Sequence, residues 1–160
     1  MNQQTLFNTP QQQLTSDDYY TPAWIFDKLQ ITFDIDVAAP STPLAWTIPA
    51  TISYTEQDNG LTQPWHGTVW MNPPYSNPTP WVDRFLQHAN GIALLPFTRA
   101  RWFRDMWNIC DTIMNLSEHN GKLFKFCTAD QTPKGIFMPC ALFGIGPQSH
   151  VLHNFSNRVR

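Results

Sequence analysis

The sequence lacks several features that would assign the protein to a class at once. No apolar run approaches the roughly 18 residues that a membrane-spanning helix needs, and the opening stretch "MNQQTLFNTPQQQ" has neither the charged nor the apolar region of a signal peptide. The three cysteines are odd in number and far apart, which fits neither a disulfide framework nor a zinc-binding motif. We therefore expect a cytoplasmic protein with no membrane segment, and we assign no metal site.

Length and composition indicate one compact domain. The chain has 160 residues, of which 42% are hydrophobic, enough for a single core but not for two. Residues 1–16 are rich in Gln, Asn and Thr without apolar periodicity, so we predict a flexible tail there and a single folded domain over 17–160.

Basic residues are scarce in the first half of the chain. Before Asn72 there is one base, Lys28, against seven acids, a net charge of −6, whereas from Asn72 onward nine bases face five acids, a net charge of +4. An acidic half suits a cationic small molecule and a basic half suits a polyanion, although uneven sorting by chance is an alternative in a short chain.

Hydrophobic periodicity predicts an α/β fold. The segments "TPAWIFDKL", "TPWVDRFLQHA" and "ARWFRDMWN" have helical patterns, and the first two begin with Thr-Pro pairs that suit a helix start, while Gly91 is placed to end the second. Strands are predicted at "FDIDV", "TISY", "TVWM", "IALLP", "DTIMNL", "KLFKF" and "GIFMPCALFGI". Helices alternating with strands indicate a mostly parallel sheet, covered on both faces, with antiparallel strands at the C-terminus, and ligands gather at the carboxyl ends of such strands.

The stretch "NPPY", residues 72–75, follows the predicted strand "TVWM". Its prolines keep the two residues before them out of the α region, so that backbone carbonyls can point outward, and Asn72 adds a side-chain acceptor. Tyr75 offers a flat ring for stacking on an unpaired base. Two acceptors and an aromatic ring suit a planar exocyclic amine, although a rigid loop is the alternative because proline pairs are common.

Four pieces of the chain together resemble the phage-type DNA N6-adenine methyltransferases, a Dam-like branch of the S-adenosylmethionine-dependent aminomethyltransferases. They are "YYTPAWIF", "FDIDVAAP", "YTEQDNGLTQPWHGTVWMNPPYS" and "GKLFKF". The resemblance implies a shortened Rossmann-like class I methyltransferase sheet and transfer of a methyl group from S-adenosylmethionine to a flipped-out adenine, leaving S-adenosylhomocysteine. It also implies a phage- or prophage-encoded enzyme that acts on double-stranded DNA in a bacterial host.

The resemblance also implies roles for particular residues. Thr21 and Pro22 would contact the methionine carboxylate of the cofactor, with a plain helix start as the alternative. The turn of Asp36, Val37 and Ala38 would close over the cofactor, unless Asp36 is a solvated strand-end acid. Asp58 would recognise the cofactor's adenine, with an ordinary "DNG" turn as the alternative. The catalytic and substrate-binding stretch would consist of Asn72, Pro73, Pro74 and Tyr75, with Asn72 also near the cofactor.

Two features depart from the family's pattern. The turn "DVAAP" has no glycine where a backbone must approach the cofactor closely, so small Ala38 and Ala39 would substitute. The usual second strand and its ribose-binding acid have no clear counterpart; we assign none, and Glu56 is nearest.

The segment "TRARWFR" places Arg99, Arg101 and Arg104 close together after the strand "IALLP". These arginines are candidates for binding DNA, and Trp102 is a candidate wedge or stacking residue, unless it packs inward with Met106 and Trp107. Recognition is expected from loops of the catalytic domain or from a second subunit of a homodimer. Three lysines would extend the basic patch: Lys122, Lys125 and Lys134.

Three alternatives to DNA adenine methylation stay open, and a fourth is rejected. The same tetrapeptide suits an RNA base or a glutamine side chain, although the arginines favour nucleic acid. A non-catalytic DNA-binding relic is the third alternative, because the cofactor region is short. Cytosine-C5 chemistry is rejected, since Cys140 of the "MPC" segment lies in an apolar run typical of a structural thiol.

Overall fold

A computed structural model describes residues 20–41, 48–116, 118–119, 122–128, 131–133 and 138–155. The predicted tail, residues 1–16, lies outside this set. The described residues form three α-helices, eight β-strands and a C-terminal 3₁₀ helix. In chain order these are α1 (Ala23–Leu29), β1 (Phe33–Asp36), β2 (Ala50–Ser53), β3 (Val69–Met71), α2 (Thr79–His88), β4 (Gly91–Pro96), α3 (Arg101–Ile109), β5 (Thr112–Asn115), β6 (Glu118–His119), β7 (Lys122–Leu123), β8 (Cys140–Ile145) and the 3₁₀ helix (Ser149–Phe155).

Six strands form one sheet in the order β2-β1-β3-β4-β8-β5. Strands β2, β1, β3 and β4 run parallel, and β8 is antiparallel to both β4 and β5. The prediction of a mostly parallel sheet with antiparallel C-terminal strands is confirmed. The chain leaves β1 on one side to form β2 and returns on its other side as β3, so the strand order reverses there. In open α/β sheets a crevice for ligands forms at this point, beyond the carboxyl ends of the strands.

Strand β2 is the second strand that the sequence left without a clear counterpart. It pairs in parallel with β1, with Phe33 opposite Ala50 and Asp36 opposite Ser53. Its four residues lie in a proline-rich region, and so short a strand gives a weak periodic signal. Glu56 follows β2 at the carboxyl edge of the sheet and is exposed.

Side chains on both faces of the sheet are buried. On β4, Ile92 and Leu94 pack with α1 and the 3₁₀ helix, whereas Ala93 and Leu95 pack with α2 and α3. A strand buried on both faces reads as a continuous apolar run, which is why "IALLP" was recognisable in the sequence.

The helix ends differ from the predictions. Helix α1 is preceded by Pro22 and α2 by Pro78, and neither has a side-chain cap, so the expectation from the sequence that Thr21 can cap α1 is wrong. Gly91 does not end α2; Ala89, with φ of 56°, does so, and Gly91 begins β4. A Cβ at Gly91 would lie 2.4 Å from the backbone oxygen of Val69, so close strand packing requires glycine there.

The predicted strand "KLFKF" is only partly a strand. Lys122–Leu123 forms β7, which pairs with β6 in a separate two-stranded sheet, while Phe124 and Phe126 lie after it and are buried in the core beside α1. In the described part of the chain the longest helix is α2, whose ten residues fall well short of the ~20 that cross a bilayer.

Candidate active site

The stretch Asn72–Tyr75 leaves β3 at the carboxyl edge of the sheet, beside the point where the strand order reverses. Pro73 is buried, and the other three residues are partly exposed. Helix α2 starts four residues after Tyr75, at Thr79. The "NPPY" stretch therefore lies where the sequence predicted, between a central strand and a helix packed on the sheet.

Thr21 and Asn72 meet although 51 residues separate them in sequence. The Asn72 amide nitrogen donates a hydrogen bond to the Thr21 hydroxyl oxygen at 3.3 Å, and Thr21 is buried. Thr21 lies one residue before Pro22, the N-cap position of α1. Two residues predicted to serve the same site are therefore brought together, and the bond fixes the orientation of the Asn72 amide.

The segment that carries Thr21 and Pro22 is held by residues from the far end of the chain. Tyr20 and Cys127 exchange two backbone hydrogen bonds, of 3.2 and 3.1 Å, and the Gln131 side-chain oxygen accepts from the Ala23 N–H at 3.2 Å. The start of α1 is therefore fixed against the edge of the site by long-range contacts.

Asp36 lies at the carboxyl end of β1 and is only 1% exposed. Its Oδ1 accepts a hydrogen bond from the Ala38 N–H at 3.2 Å, within the predicted turn of Asp36, Val37 and Ala38. Burial raises the pKa of the Asp36 carboxyl from 3.8 to about 7, and the Ala38 hydrogen bond opposes this shift. The alternative of a solvated strand-end acid is wrong, because this carboxyl is buried at the carboxyl end of β1.

Asp58 is exposed and closes its own turn. Its Oδ2 accepts hydrogen bonds from both the N–H and the hydroxyl of Thr55, each at 2.8 Å, and the backbone bond is the main cause that lowers its pKa. These contacts are those of an ordinary turn. The same turn packs against β1, since a Cβ at Gly60 would lie 1.9 Å from the Val37 carbonyl oxygen. Asp58 comes two residues before Gly60 and therefore lies near the turn after β1.

Arg84 on α2 was not singled out from the sequence. Its guanidinium lies 4.7 Å from the centre of the Trp65 ring and donates to the carbonyls of Gly60, Leu61 and Gln63. We call residues 60–65 the strap, because they tie α2 to the turn after β1. No sequence signal could have revealed Arg84, since its hydrogen-bond partners are backbone carbonyls that every residue has.

Tyr75 is fixed through its hydroxyl. The hydroxyl donates to the Leu94 carbonyl at 3.1 Å, and the ring meets Phe126 edge-on with the ring centres 6.0 Å apart. Burial raises the pKa of the Tyr75 hydroxyl well above its usual value, so the hydroxyl remains protonated. The ring is anchored at its polar end but is still partly exposed at the site.

Cys140 lies against the Tyr75 hydroxyl from β8. Its side chain is fully buried, and this burial raises the pKa of the thiol to about 12, although the neighbouring Tyr75 hydroxyl acts in the opposite direction. A nucleophilic cysteine needs a lowered pKa. The environment of Cys140 therefore supports the rejection of cytosine-C5 chemistry.

The three arginines of "TRARWFR" are all exposed, at the start of α3 and in the loop before it. Arg101 pairs with Asp105 at 3.7 Å on the helix surface, with 85% of its side chain exposed. Trp102 is only 9% exposed and packs with Met106 in the core, so its proposed stacking role is wrong and the inward-packing alternative is correct. Lys125 is exposed, whereas the Lys122 side chain and Lys134 lie outside the described residues.

Comparisons with known proteins give one family model and one curated relative with the same description. A family model described as "DNA N-6-adenine-methyltransferase (Dam)" matches residues 8–134. A "DNA N-6-adenine-methyltransferase" of Haemophilus phage HP1 (strain HP1c1) is 34% identical over 74 residues, which is 46% of this chain and 43% of that relative. The matched part thus spans less than half of the relative's length. No solved structure matches the chain.

Proposed function

We propose, because this chain belongs to the DNA N-6-adenine-methyltransferase (Dam) family, that it transfers a methyl group from S-adenosylmethionine to the N6 amine of an adenine in double-stranded DNA. The observation that carries the proposal is the position of Asn72–Tyr75 at the carboxyl edge of β3, with Asn72 bonded to Thr21 and the buried Asp36 on the neighbouring strand.

The adenine amine would be held by two oxygens. The Asn72 side-chain oxygen and the Pro73 carbonyl can each accept one N–H, and an asparagine held through its nitrogen by Thr21 presents its oxygen in a fixed direction. Holding both hydrogens lets the nitrogen become pyramidal and use its lone pair. S-adenosylmethionine would supply the methyl group to this lone pair and leave as S-adenosylhomocysteine, and a proton of the amine would pass to water.

The adenine must leave the double helix to reach these oxygens. Tyr75 would stack on the flipped base with its partly exposed ring. Its anchored hydroxyl supports this role, because a ring fixed at one end loses little conformational freedom when the base arrives. Pro73 and Pro74 would keep the stretch rigid.

The residues around the crevice fit S-adenosylmethionine, which supplies the methyl group on a positively charged sulfonium. Asp36 offers a carboxylate to a cationic ligand, and Ala38 follows it in a tight turn with a small side chain. Thr21 and Pro22 would lie by the methionine carboxylate and Val37 beside the ligand. Glu56 after β2 is a candidate for the ribose hydroxyls. Asp58 would approach the cofactor's adenine through the turn that it closes.

The exposed residues Arg99, Arg101 and Arg104 would bind phosphates of the duplex. Their charge favours nucleic acid over a protein glutamine as substrate. Recognition would come from loops of this domain or from a second subunit of a homodimer, and the reaction would take place in the cytoplasm of a bacterial host.

The proposal is tested by incubating the protein with labelled S-adenosylmethionine and unmethylated double-stranded DNA, then digesting the DNA to nucleosides. We expect labelled N6-methyldeoxyadenosine, and Asn72→Ala should lower the rate about 100-fold or more, the usual loss when one preorganised transition-state contact is removed. Asn77→Ala, an exposed asparagine in the same loop, is the matched control and should remain active. Label on cytosine or on protein would contradict the proposal.

A catalytically inactive relic of the family makes a different prediction for the same preparation. Calorimetry would then detect binding of DNA but no binding of S-adenosylmethionine. We expect the wild-type protein to bind both.

A further inference from the structure

Phe97 directly follows β4 at the carboxyl edge of the sheet and is 38% exposed. Its backbone N–H donates to the Pro139 carbonyl at 2.9 Å, and its ring lies against Phe103 of α3, with ring centres 5.3 Å apart. Among the described residues the other large exposed apolar side chain is Ile109. Single exposed apolar residues are common, so the position of Phe97 matters more than its exposure.

Phe97 lies just outside the site in which the base would be held. The Tyr75 hydroxyl is bonded to Leu94, and Phe97 comes three residues after Leu94, directly beyond the end of the same strand. Three extended residues cover about 10 Å. Strand β4 neighbours β3 and runs parallel to it, so this displacement continues toward the same edge at which Asn72–Tyr75 emerges. An approaching duplex would meet Phe97 next to the entrance for the flipped base.

Three exposed arginines follow this side chain closely in the sequence. Arg99, Arg101 and Arg104 follow Phe97 within seven residues and are exposed. Apolar side chains that enter a base stack are typically flanked by arginine or lysine residues that bind the adjacent phosphates. Trp102, the aromatic residue of this segment that the sequence suggested for such a role, is in the core and cannot reach a ligand.

We propose that the Phe97 side chain enters the DNA base stack beside the target adenine and occupies the space that the flipped base leaves. Phe103 supports the ring from behind, and the three arginines hold the backbone on either side. The inference rests on the proposed function, since a residue that fills the stack is needed only if a base leaves it. It deepens that function by assigning DNA opening to one side chain outside the "NPPY" stretch.

The test uses the full chain and a duplex that contains the recognised sequence, identified by sequencing plasmid DNA methylated by the wild-type protein. The target adenine is replaced by 2-aminopurine, whose fluorescence rises when it leaves the stack. We expect Phe97→Ala to reduce this rise in fluorescence about tenfold, the scale of one lost aromatic–base stack. The methylation rate of the duplex that retains the target adenine should fall by the same factor. S-adenosylmethionine binding should be unchanged, and Phe97→Trp should restore both signals.

Ile109→Ala is the matched control, because it removes the other exposed apolar side chain and should have no effect. A duplex with an abasic site opposite the target should largely rescue Phe97→Ala, since its target base is already unpaired. A merely structural role for Phe97 would give no such rescue and would overturn the inference.

Two other results would also overturn it. Phe97→Ala could match the wild type on the intact duplex while the wild type methylates adenine, which would leave the proposed function standing. Phe97→Ala could instead change the oligomeric state in sedimentation experiments without affecting DNA opening, which would assign Phe97 to a contact with a second copy. A wild-type protein that forms no N6-methyldeoxyadenosine would overturn both the function and this inference.

Discussion

The hydroxyl and the ring of Tyr75 have different environments. Its hydroxyl is committed to the Leu94 carbonyl and lies beside the buried Cys140, while its ring remains partly exposed at the site. The hydroxyl thus positions the ring, and the ring is the part that would touch a base.

Tyr75→Phe should therefore cost much less activity than Tyr75→Ala. Loss of one hydrogen bond corresponds to at most about a tenfold decrease in kcat, and loss of the stacking ring to up to about 100-fold. Steady-state kinetics on duplex DNA measure both. Tyr54→Phe is the control, because it removes a similar 3.0 Å bond to the Pro64 carbonyl from a residue just after β2, which lies two strands from β3. Equal losses in both Tyr75 variants would place the hydroxyl in the reaction.

The buried Asp36 carboxyl should make stability depend on pH. Its pKa is about 7 in the folded protein against 3.8 as the ordinary value, so between these pH values the folded state binds more protons than the unfolded state. The contribution of Asp36 to stability is therefore fully present below pH 3.8 and is lost as pH rises through 7. Asp36→Asn should abolish this loss, and at pH 8 it should be more stable than the wild type by up to about 4 kcal/mol.

Thermal unfolding of both proteins at pH 5 and pH 8, without cofactor, measures this effect. Asp83→Asn, which alters an exposed carboxylate on α2, should leave the pH dependence unchanged. Asp36→Asn should also weaken binding of S-adenosylmethionine, because it removes a charge opposite to that of the sulfonium. This account of Asp36 would be contradicted if the stability of the wild type rose between pH 5 and pH 8, and if that of Asp36→Asn rose to the same extent.

Residues with distinctive chemistry could be predicted from the sequence, and residues that act through the backbone could not. Asn72 and Tyr75 were singled out because amide and aromatic groups at a strand end suggest a ligand, and the structure places both at the carboxyl edge of the sheet. Arg84 was missed because its partners are carbonyls, and Phe97 because exposure depends on tertiary packing. Trp102 was assigned wrongly for the same reason, since nothing local decides whether an aromatic residue faces the core.

At the scale of elements, α2 joins the two halves of the site. It begins shortly after Asn72–Tyr75, and its Arg84 holds the strap, residues 60–65, against the turn after β1. One helix thus fixes the distance between the stretch that would hold the base and the turn that would hold the cofactor.

Arg84→Met should loosen the strap while leaving the helix intact. The free energy of unfolding should fall by about 2 kcal/mol, as expected for hydrogen bonds from a charged donor, and S-adenosylmethionine should bind more weakly. Urea denaturation and calorimetry measure the two effects. Arg84→Lys should not restore them fully, because an ammonium cannot imitate the planar fork that reaches several carbonyls. Lys125→Met, at an exposed position, is the control, and unchanged cofactor affinity in Arg84→Met would refute the role of the strap.

Strand positions could be anticipated from the sequence where the apolar pattern is regular. Strands β3, β4 and β5 and all three helices were predicted from their periodicity. Strand β2 was recognised as a segment but not as the partner of β1, because proline-rich surroundings hide a four-residue strand. The extent of β7 was overestimated, since the aromatic residues Phe124 and Phe126 have strand propensity but are buried outside a strand.

In the whole molecule, the uneven charge along the chain corresponds to the two sides of β3 in the sheet. The acidic side carries Asp36, Glu56 and Asp58 around β1 and β2, and the basic side carries exposed arginines after β4. This separation follows from the topology, because the first half of the chain forms one side of β3 and the second half forms the other.

The salt dependence of DNA binding should therefore come from the arginines of the basic side alone. Each of Arg99→Gln, Arg101→Gln and Arg104→Gln should reduce the slope of log Kd against log salt concentration by about 1. Fluorescence anisotropy with a labelled duplex at several salt concentrations gives this slope. Lys28→Gln, the one base before Asn72, should leave it unchanged, and an equal effect of Lys28→Gln would contradict the assignment of the two sides.

The central claim is that Asn72 and its neighbours hold an adenine amine for methylation. The most direct measurement is mass spectrometry of nucleosides from plasmid DNA recovered from bacteria that lack their own adenine methylation and express either the wild type or Asn72→Ala. The account predicts N6-methyldeoxyadenosine with the wild type and a loss of most of it with the variant. Equal amounts with both proteins, or methylated cytosine in place of adenine, would contradict it.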